Sequence, residues 1–166
     1  MNMTKKSNPV GVNHLSLEVG NIAQALEFYG SFLELNVVYE DESTGIPREE
    51  LASMEMGDQF IALTRGDRKA VDRDRHFGLV VDDKDLVKEN LLKMGVELLP
   101  GTTLTFLDPW GNRIEIVTYS KIMFSKSQSI LESMGLGTLT KNDTAIARMR
   151  KRGFLPTDET TEASQS

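Results

Sequence analysis

The stretch Phe106-Leu-Asp-Pro-Trp-Gly-Asn-Arg-Ile-Glu-Ile-Val117 sets a tight turn between two short, mostly apolar runs. Asp108 can bond the backbone ahead of it, Pro109 presets its own φ, and Gly111 can take a positive φ. The flanking runs, residues 104–107 and 114–117, make the whole read as a β-hairpin. Within the second strand, Glu115 points to one face while Ile114 and Ile116 point to the other. A carboxylate in an apolar strand is costly to bury unless it is paired or bound to a cation. The rest of the chain must therefore supply a partner for Glu115.

Upstream, residues 13–19 alternate. His14, Ser16 and Glu18 share one face, and Leu15, Leu17 and Val19 the other, which reads as a half-buried strand with a polar inner face. Asn21 can cap a helix over residues 22–35, where Ala25, Phe28, Tyr29, Phe32 and Leu33 fall near helical spacing. A strand begins at residues 37–40. An acidic loop over 41–50 follows, then strands at 51–56 and 59–64 joined by Gly57-Asp58. Residues 65–75 hold eight charged side chains in eleven and read as a linker or mobile loop. Then come a strand over 76–81, a turn and cap at Asp82-Asp83, and a helix over 84–94 that stops at Gly95. A strand over 96–99 and a turn at Pro100-Gly101 lead back to the hairpin.

The chain thus reads as two copies of strand, turn, helix and three strands, over residues 10–65 and 75–120. His14 lies five residues before Val19 and His76 five before Val81, so the two hold equivalent places, and they are the only histidines. Each sits on a strand expected to pack centrally. Together with Glu115 they supply two imidazoles and one carboxylate, leaving coordination positions open. That set suits Fe(II), Mn(II), Ni(II), Co(II) or Zn(II), and ligand type alone does not choose among them. The competing reading is two satisfied core histidines and a glutamate salt-bridged to Arg113 or Arg75.

Composition bounds the rest. A chain of 166 residues is long enough for one domain with a real core. Residues 1–10 lack an apolar signal core, and no apolar run is long enough to span a bilayer. The absence of cysteine removes disulfides and thiolate chemistry and fits the cytoplasm. A net charge of −6 argues against nucleic-acid binding. Residues 1–64 carry three basic and ten acidic side chains, whereas residues 121–153 carry seven basic and two acidic.

Three stretches carry a resemblance: Val12-Asn-His-Leu-Ser-Leu-Glu-Val19, His76-Phe-Gly-Leu-Val-Val81 and the hairpin motif ending at Glu115. Over residues 10–120 the chain resembles the vicinal-oxygen-chelate superfamily of glyoxalases, bleomycin-resistance proteins, fosfomycin-resistance transferases, epimerases and extradiol dioxygenases. The resemblance implies an α+β fold in which two βαβββ modules form a cupped mixed sheet around one divalent metal ion. It implies His14, His76 and Glu115 as ligands, a small-molecule substrate and a homodimer. The fourth, acidic position of glyoxalase I falls here at Ala62, or at Ile61 if the register slips by one, and neither can bind metal or move a proton. Three-ligand relatives remain. Extradiol enzymes add a further histidine and a tyrosine, but this chain has no histidine to spare and Thr105 stands near the tyrosine's place. Fosfomycin-type enzymes carry a hydroxyl residue where Ser16 lies.

The resemblance therefore implies a metal-dependent enzyme that chelates two neighbouring oxygens of its substrate, with a slight preference for dioxygenase-like chemistry. Thiol transfer of the fosfomycin-resistance type, glyoxalase-like lyase or isomerase chemistry, and metal-free drug binding of the bleomycin-resistance type are the alternatives. Ser16, Thr105 and Arg113 are the expected substrate contacts; a surface or supporting role competes for Arg113. The catalytic acid and base are not named by the sequence. Residues 121–155 form a helical extension, with a helix over 127–134 and a second capped by Thr140. It packs on the sheet or a second subunit, or else serves as a lid. Residues 156–166 are polar and read as a disordered tail.

Overall fold

In the computed structural model, residues 12–39, 45–67 and 70–156 are described. The alternating segment forms β1 (His14–Val19), followed by α1 (Ile22–Gly30), β2 (Asn36–Val38), β3 (Leu51–Glu55) and β4 (Phe60–Arg65). The second module holds β5 (Phe77–Val81), α2 (Lys84–Lys93), β6 (Leu104–Leu107) and β7 (Arg113–Thr118). A single 3-10 turn (Tyr119–Lys121) leads to α3 (Gln128–Ser133) and α4 (Asp143–Lys151). The class is α+β, with the strands divided between two mixed sheets in the orders β1-β4-β3-β2 and β5-β7-β6. In each, the histidine-bearing segment leads into an edge strand that pairs in parallel with the module's last strand. The expectation that these strands pack centrally is thus corrected: among the described residues each lies at the edge of its sheet.

Local chemistry explains where the elements stop. The Asn21 side chain caps α1 by accepting from the Gln24 N–H at 2.9 Å. The helix ends at Gly30, short of residue 35, because the Ser31 hydroxyl takes the Phe28 carbonyl and the N–H groups of Phe32 and Leu33 both turn back to the Tyr29 carbonyl. The Asp83 carboxylate caps α2 from the Asp85 and Leu86 N–H groups. The strand expected over 96–99 shrinks to one bridge, Leu98 to Phe106, because Pro100 follows at once and offers no N–H to extend the ladder. Asn142, not Thr140, caps α4, accepting from the Ala145 N–H at 2.9 Å. Residue 40 of the strand expected over 37–40, residues 41–44 of the acidic loop, residues 68–69 of the charged loop and residues 157–166 of the tail lie outside the described residues.

One apolar cluster joins both modules. Val19, Ala25, Tyr29 and Leu63 of the first and Leu91, Phe106, Ile114 and Ile116 of the second are fully covered. The α1 rings cross the module boundary: Phe32 meets Phe106 edge-on at 5.6 Å between centroids. Truncating Phe106 to alanine would leave a cavity costing about 3–5 kcal/mol. No described helix is long and apolar enough to cross a membrane.

The extension buries apolar side chains outside that cluster. Tyr119, Leu131, Ala145 and Met149 are buried, and the Lys141 ammonium donates to the Tyr119 carbonyl at 2.6 Å. It reaches the first module at the β3–β4 turn, where Lys126 pairs with Asp58. A Cβ on Gly57 would stand 2.7 Å from Ile130 and 2.9 Å from the Met134 sulfur, so only glycine lets α3 lie this close.

Candidate metal centre

The β6–β7 hairpin forms as its sequence dictates, with Leu107 opposite Arg113. Gly111 takes φ +82°, open to glycine and strained for other residues. The turn does more than reverse the chain. Asp108, 4% exposed, accepts from the Tyr29 hydroxyl at 2.8 Å, the Trp110 and Asn112 N–H groups, and the Asn112 amide at 2.7 Å. That amide also donates to the Glu18 carbonyl on β1, and Trp110 covers Gly20. The motif therefore fastens the second module to α1 and β1 of the first. Burial, then the Asp108 charge and hydrogen bond, push the Tyr29 phenol well above its usual pKa.

Ile114 and Ile116 enter the core, so Arg113, Glu115 and Val117 face the other way. Thr105 on β6 and Gly78 on β5 flank Glu115 on that face. A Cβ at Gly78 would meet only a Val117 methyl, at 3.9 Å, so there is room at Gly78, beside Glu115. His76 stands just before β5 and brings its Nε2 to 3.5 Å from a Glu115 carboxylate oxygen. Its Nδ1 lies 2.9 Å from the Asp74 carbonyl. A carbonyl only accepts, so Nδ1 donates to it, and Nε2 is the nitrogen left beside the carboxylate; when it carries no proton it is an acceptor next to an acceptor. Two acceptors facing each other at this distance repel unless a proton or a cation lies between them.

His14 is prepared in the same way on the other sheet. Its Nδ1 meets the Asn13 side-chain oxygen at 2.9 Å, and its ring stacks on Phe60 at 4.8 Å between centroids. No hydrogen bond to its Nε2 is found among the described residues. Ser16 shares that face and bonds the Thr64 hydroxyl at 3.0 Å. The chain brings His76 and Glu115 together but leaves His14 apart: among the described residues no three histidine, aspartate or glutamate side chains are close enough to hold one ion.

The register identifies the place equivalent to Glu115. His14 pairs with Phe60 and Ser16 with Ala62; two residues beyond His76, Gly78 pairs with Glu115. Ala62, not Ile61, thus corresponds to Glu115, while Ile61 points into the core. The same comparison sets Ser53 beside Ala62 as Thr105 sits beside Glu115, and both hydroxyl residues are buried. Sequence reasoning missed Ser53, and the duplicated register was the signal that could have found it. It also missed the imidazole partners Asn13 and Asp74. Thr105 bonds the Thr103 hydroxyl at 2.9 Å. The Arg113 guanidinium donates to the Arg73 carbonyl, and its Nε is buried without a partner.

A family model for the Glyoxalase/Bleomycin resistance protein/Dioxygenase superfamily matches residues 11–116. Among solved structures, a mutant of the fosfomycin resistance protein FosX from Listeria monocytogenes, complexed with Mn(II) and 1S,2S-dihydroxypropylphosphonic acid, is 16% identical. Its TM-score is 0.57, over 67% of this chain and 93% of that one. FosX from Mesorhizobium loti is 20% identical with TM-score 0.54, over 64% and 89%. Lactoylglutathione lyase from Agrobacterium tumefaciens is 18% identical with TM-score 0.52, over 68% and 96%. At these identities the likeness is one of fold.

Proposed function

This chain belongs to the Glyoxalase/Bleomycin resistance protein/Dioxygenase superfamily, and we propose that it is a divalent-metal enzyme whose ion is held by His76 and Glu115 of one chain and His14 of a second copy. The carrying observation is the approach of His76 Nε2 to a Glu115 oxygen, at 3.5 Å, with the ring's Nδ1 held by the Asp74 carbonyl. A divalent cation can take the place of a proton between the two, and an imidazole fixed through its Nδ1 is the form that ligates a metal. His14 has the same preparation but lies on the other sheet, and among the described residues β1 and β5 are each the edge strand of their sheet. A symmetric dimer that sets one chain's β1 beside the other's β5 would complete the three-ligand set twice.

When bound, the ion would hold two neighbouring substrate oxygens and stabilise negative charge on one of them. The protein's own part is to orient. Ser16, linked to Thr64, can turn its hydroxyl to a substrate oxygen, and Thr105 flanks the carboxylate across the strand pair. Arg113 lies on the same face, but its hold on the Arg73 carbonyl favours a supporting role over substrate contact. Ala62 stands where a fourth, proton-moving carboxylate would have to be, which weighs against isomerisation.

A two-histidine, one-carboxylate set with open positions favours dioxygenase-like chemistry on Fe(II). The second reading, addition to a small phosphonate-like substrate on Mn(II), is favoured by the likeness to FosX. A cysteine-free chain suits either in the cytoplasm.

The test mixes two variants. His14→Ala and Glu115→Ala proteins, each alone, are expected to bind no Mn(II) or Fe(II) at the site. Unfolded and refolded together, they should regain binding, because each mixed dimer keeps one complete site. No regain from the mixture would place all ligands within one chain. No binding by the unaltered protein would favour a metal-free pocket. Anaerobic metal analysis then separates the chemistries: bound iron with oxygen uptake supports oxygenation, and manganese without it supports addition.

A further inference from the structure

The charged segment read from sequence as a mobile linker is tied down at its second half. The Asp72 N–H donates to the Gly111 carbonyl at 2.8 Å, and the Asp72 carboxylate accepts from the Arg113 N–H at 3.4 Å and from the Arg75 guanidinium at 3.0 Å. Arg113 returns a hydrogen bond from its guanidinium to the Arg73 carbonyl. Val71 seats on Gly111 so closely that a Cβ there would lie 3.0 Å from the Val71 Cα. The Asp72 side chain is only 12% exposed although it belongs to a surface loop. Directly after these anchors comes Asp74, whose carbonyl holds the Nδ1 proton of His76.

We propose that residues 71–75 are a strap, fastened by Asp72 to the β6–β7 turn, and that Asp72 is a positioning residue fixing the tautomer and aim of His76. This rests on the reading of His76 as a metal ligand. A surface loop without anchors samples many backbone orientations, and the Asp74 carbonyl would then leave the imidazole. A free neutral imidazole exchanges its proton between the two nitrogens, and a proton on Nε2 blocks coordination there. The strap removes that competition before any ion arrives. His14 supplies a control inside the same molecule, because Asn13, its own neighbour, holds its ring and the strap does not touch it.

The experiment uses the full chain, nitrogen-15 labelled and metal-free, at a pH well above the imidazole range. Long-range proton–nitrogen correlation reads each ring's tautomer. In the unaltered protein both histidines should carry the proton on Nδ1. In Asp72→Ala, His76 should shift toward the Nε2–H form while His14 stays unchanged, and Mn(II) affinity should fall by about 10–100-fold. Asp72→Asn keeps the volume and one acceptor, so it should fold as the parent does and show a smaller shift in the same direction. A folded variant with His76 and Mn(II) affinity both unaltered would overturn the proposal. If the unaltered protein takes up no Mn(II), the metal reading fails by itself, while the tautomer shift still reports on the strap.

Discussion

The two β-hairpin turns of the duplicated modules occupy equivalent places and hold different neighbours. Each has an aspartate and a glycine at positive φ, +75° at Gly57 and +82° at Gly111. Asp58 faces water, its side chain 54% exposed, and pairs with Lys126 of the extension. Asp108 is covered, takes four hydrogen bonds, and joins the second module to α1 of the first. The flanking strands share a register while the turns differ. One turn became the joint between modules, and the other became the landing place for the added helices. What a turn contributes to stability therefore depends on whether its carboxylate is covered, since a covered acceptor leaves several donors unsatisfied when it is removed.

The sharpest way to break this contrast is Asp108→Ala. It takes an acceptor from the Tyr29 hydroxyl, one N–H of the Asn112 amide and two backbone N–H groups, so a loss of about 3–5 kcal/mol is expected in denaturant unfolding. A loss near that of a surface substitution, about 0.5 kcal/mol, would make the two turns equivalent after all. Tyr29→Phe probes the same joint from the other side. It removes one hydrogen bond to a charged acceptor, for about 1.5–3 kcal/mol. The alkaline behaviour should change with it. The folded phenol pKa lies above its ordinary 10.0, so the folded state keeps a proton that the unfolded chain releases. That stabilisation is complete below the ordinary value and is lost as pH rises above it. Unfolding curves of the parent should show this added alkaline loss, and Tyr29→Phe should lack it.

Most of this joint was legible in the sequence as a turn and invisible as a joint. Asp-Pro-Trp-Gly-Asn announces its backbone through Pro109 and Gly111, which are local properties. That Asp108 reaches Tyr29, 79 residues away, is a property of packing that no local pattern carries. Alternation likewise placed Glu115 opposite Ile114 and Ile116, and the repeat paired His14 with His76. The sequence could not say that His14 would lie apart from the other two within one chain, because a strand reads alike at a sheet's edge and at its centre when one face is polar. The charged loop misled for a related reason. Eight charges in eleven residues describe solubility, whereas Asp72 is anchored by the Gly111 carbonyl and, through its carboxylate, by the Arg113 N–H and the Arg75 guanidinium, partners that composition does not register.

Ala62→Glu tests whether the modules differ only in the side chains they carry on a shared register. Ala62 is 9% exposed and occupies the place of Glu115, so a carboxyl group there should destabilise the metal-free protein by about 1–3 kcal/mol. If the site is the one proposed, divalent metal should offset that loss, read as a larger rise in melting temperature on adding Mn(II) than the parent shows. Destabilisation that metal leaves untouched would mean that position 62 does not face the ion, and the correspondence between the modules would end at the backbone.

The smallest effect belongs to the exposed turn. Asp58→Ala should cost under about 1 kcal/mol globally, since a carboxylate half in water gains little from its ion pair. The hydrogen bond from Lys126 holds the Asp58 carboxyl below its ordinary value of 3.8. The folded state therefore sheds this proton more readily than the unfolded chain does. The small stabilisation is present above the ordinary carboxyl value and lost as pH falls through the lowered one. Because Asp58 touches the extension and not the core, the acid effect should appear as faster amide exchange over residues 126–134 with the sheets unchanged. Asp58→Ala should show that faster exchange already at neutral pH. Acid loosening that spreads instead to β6 and β7 would mean that the extension and the module joint are one cooperative unit, which the absence of the extension's buried residues from the core cluster argues against.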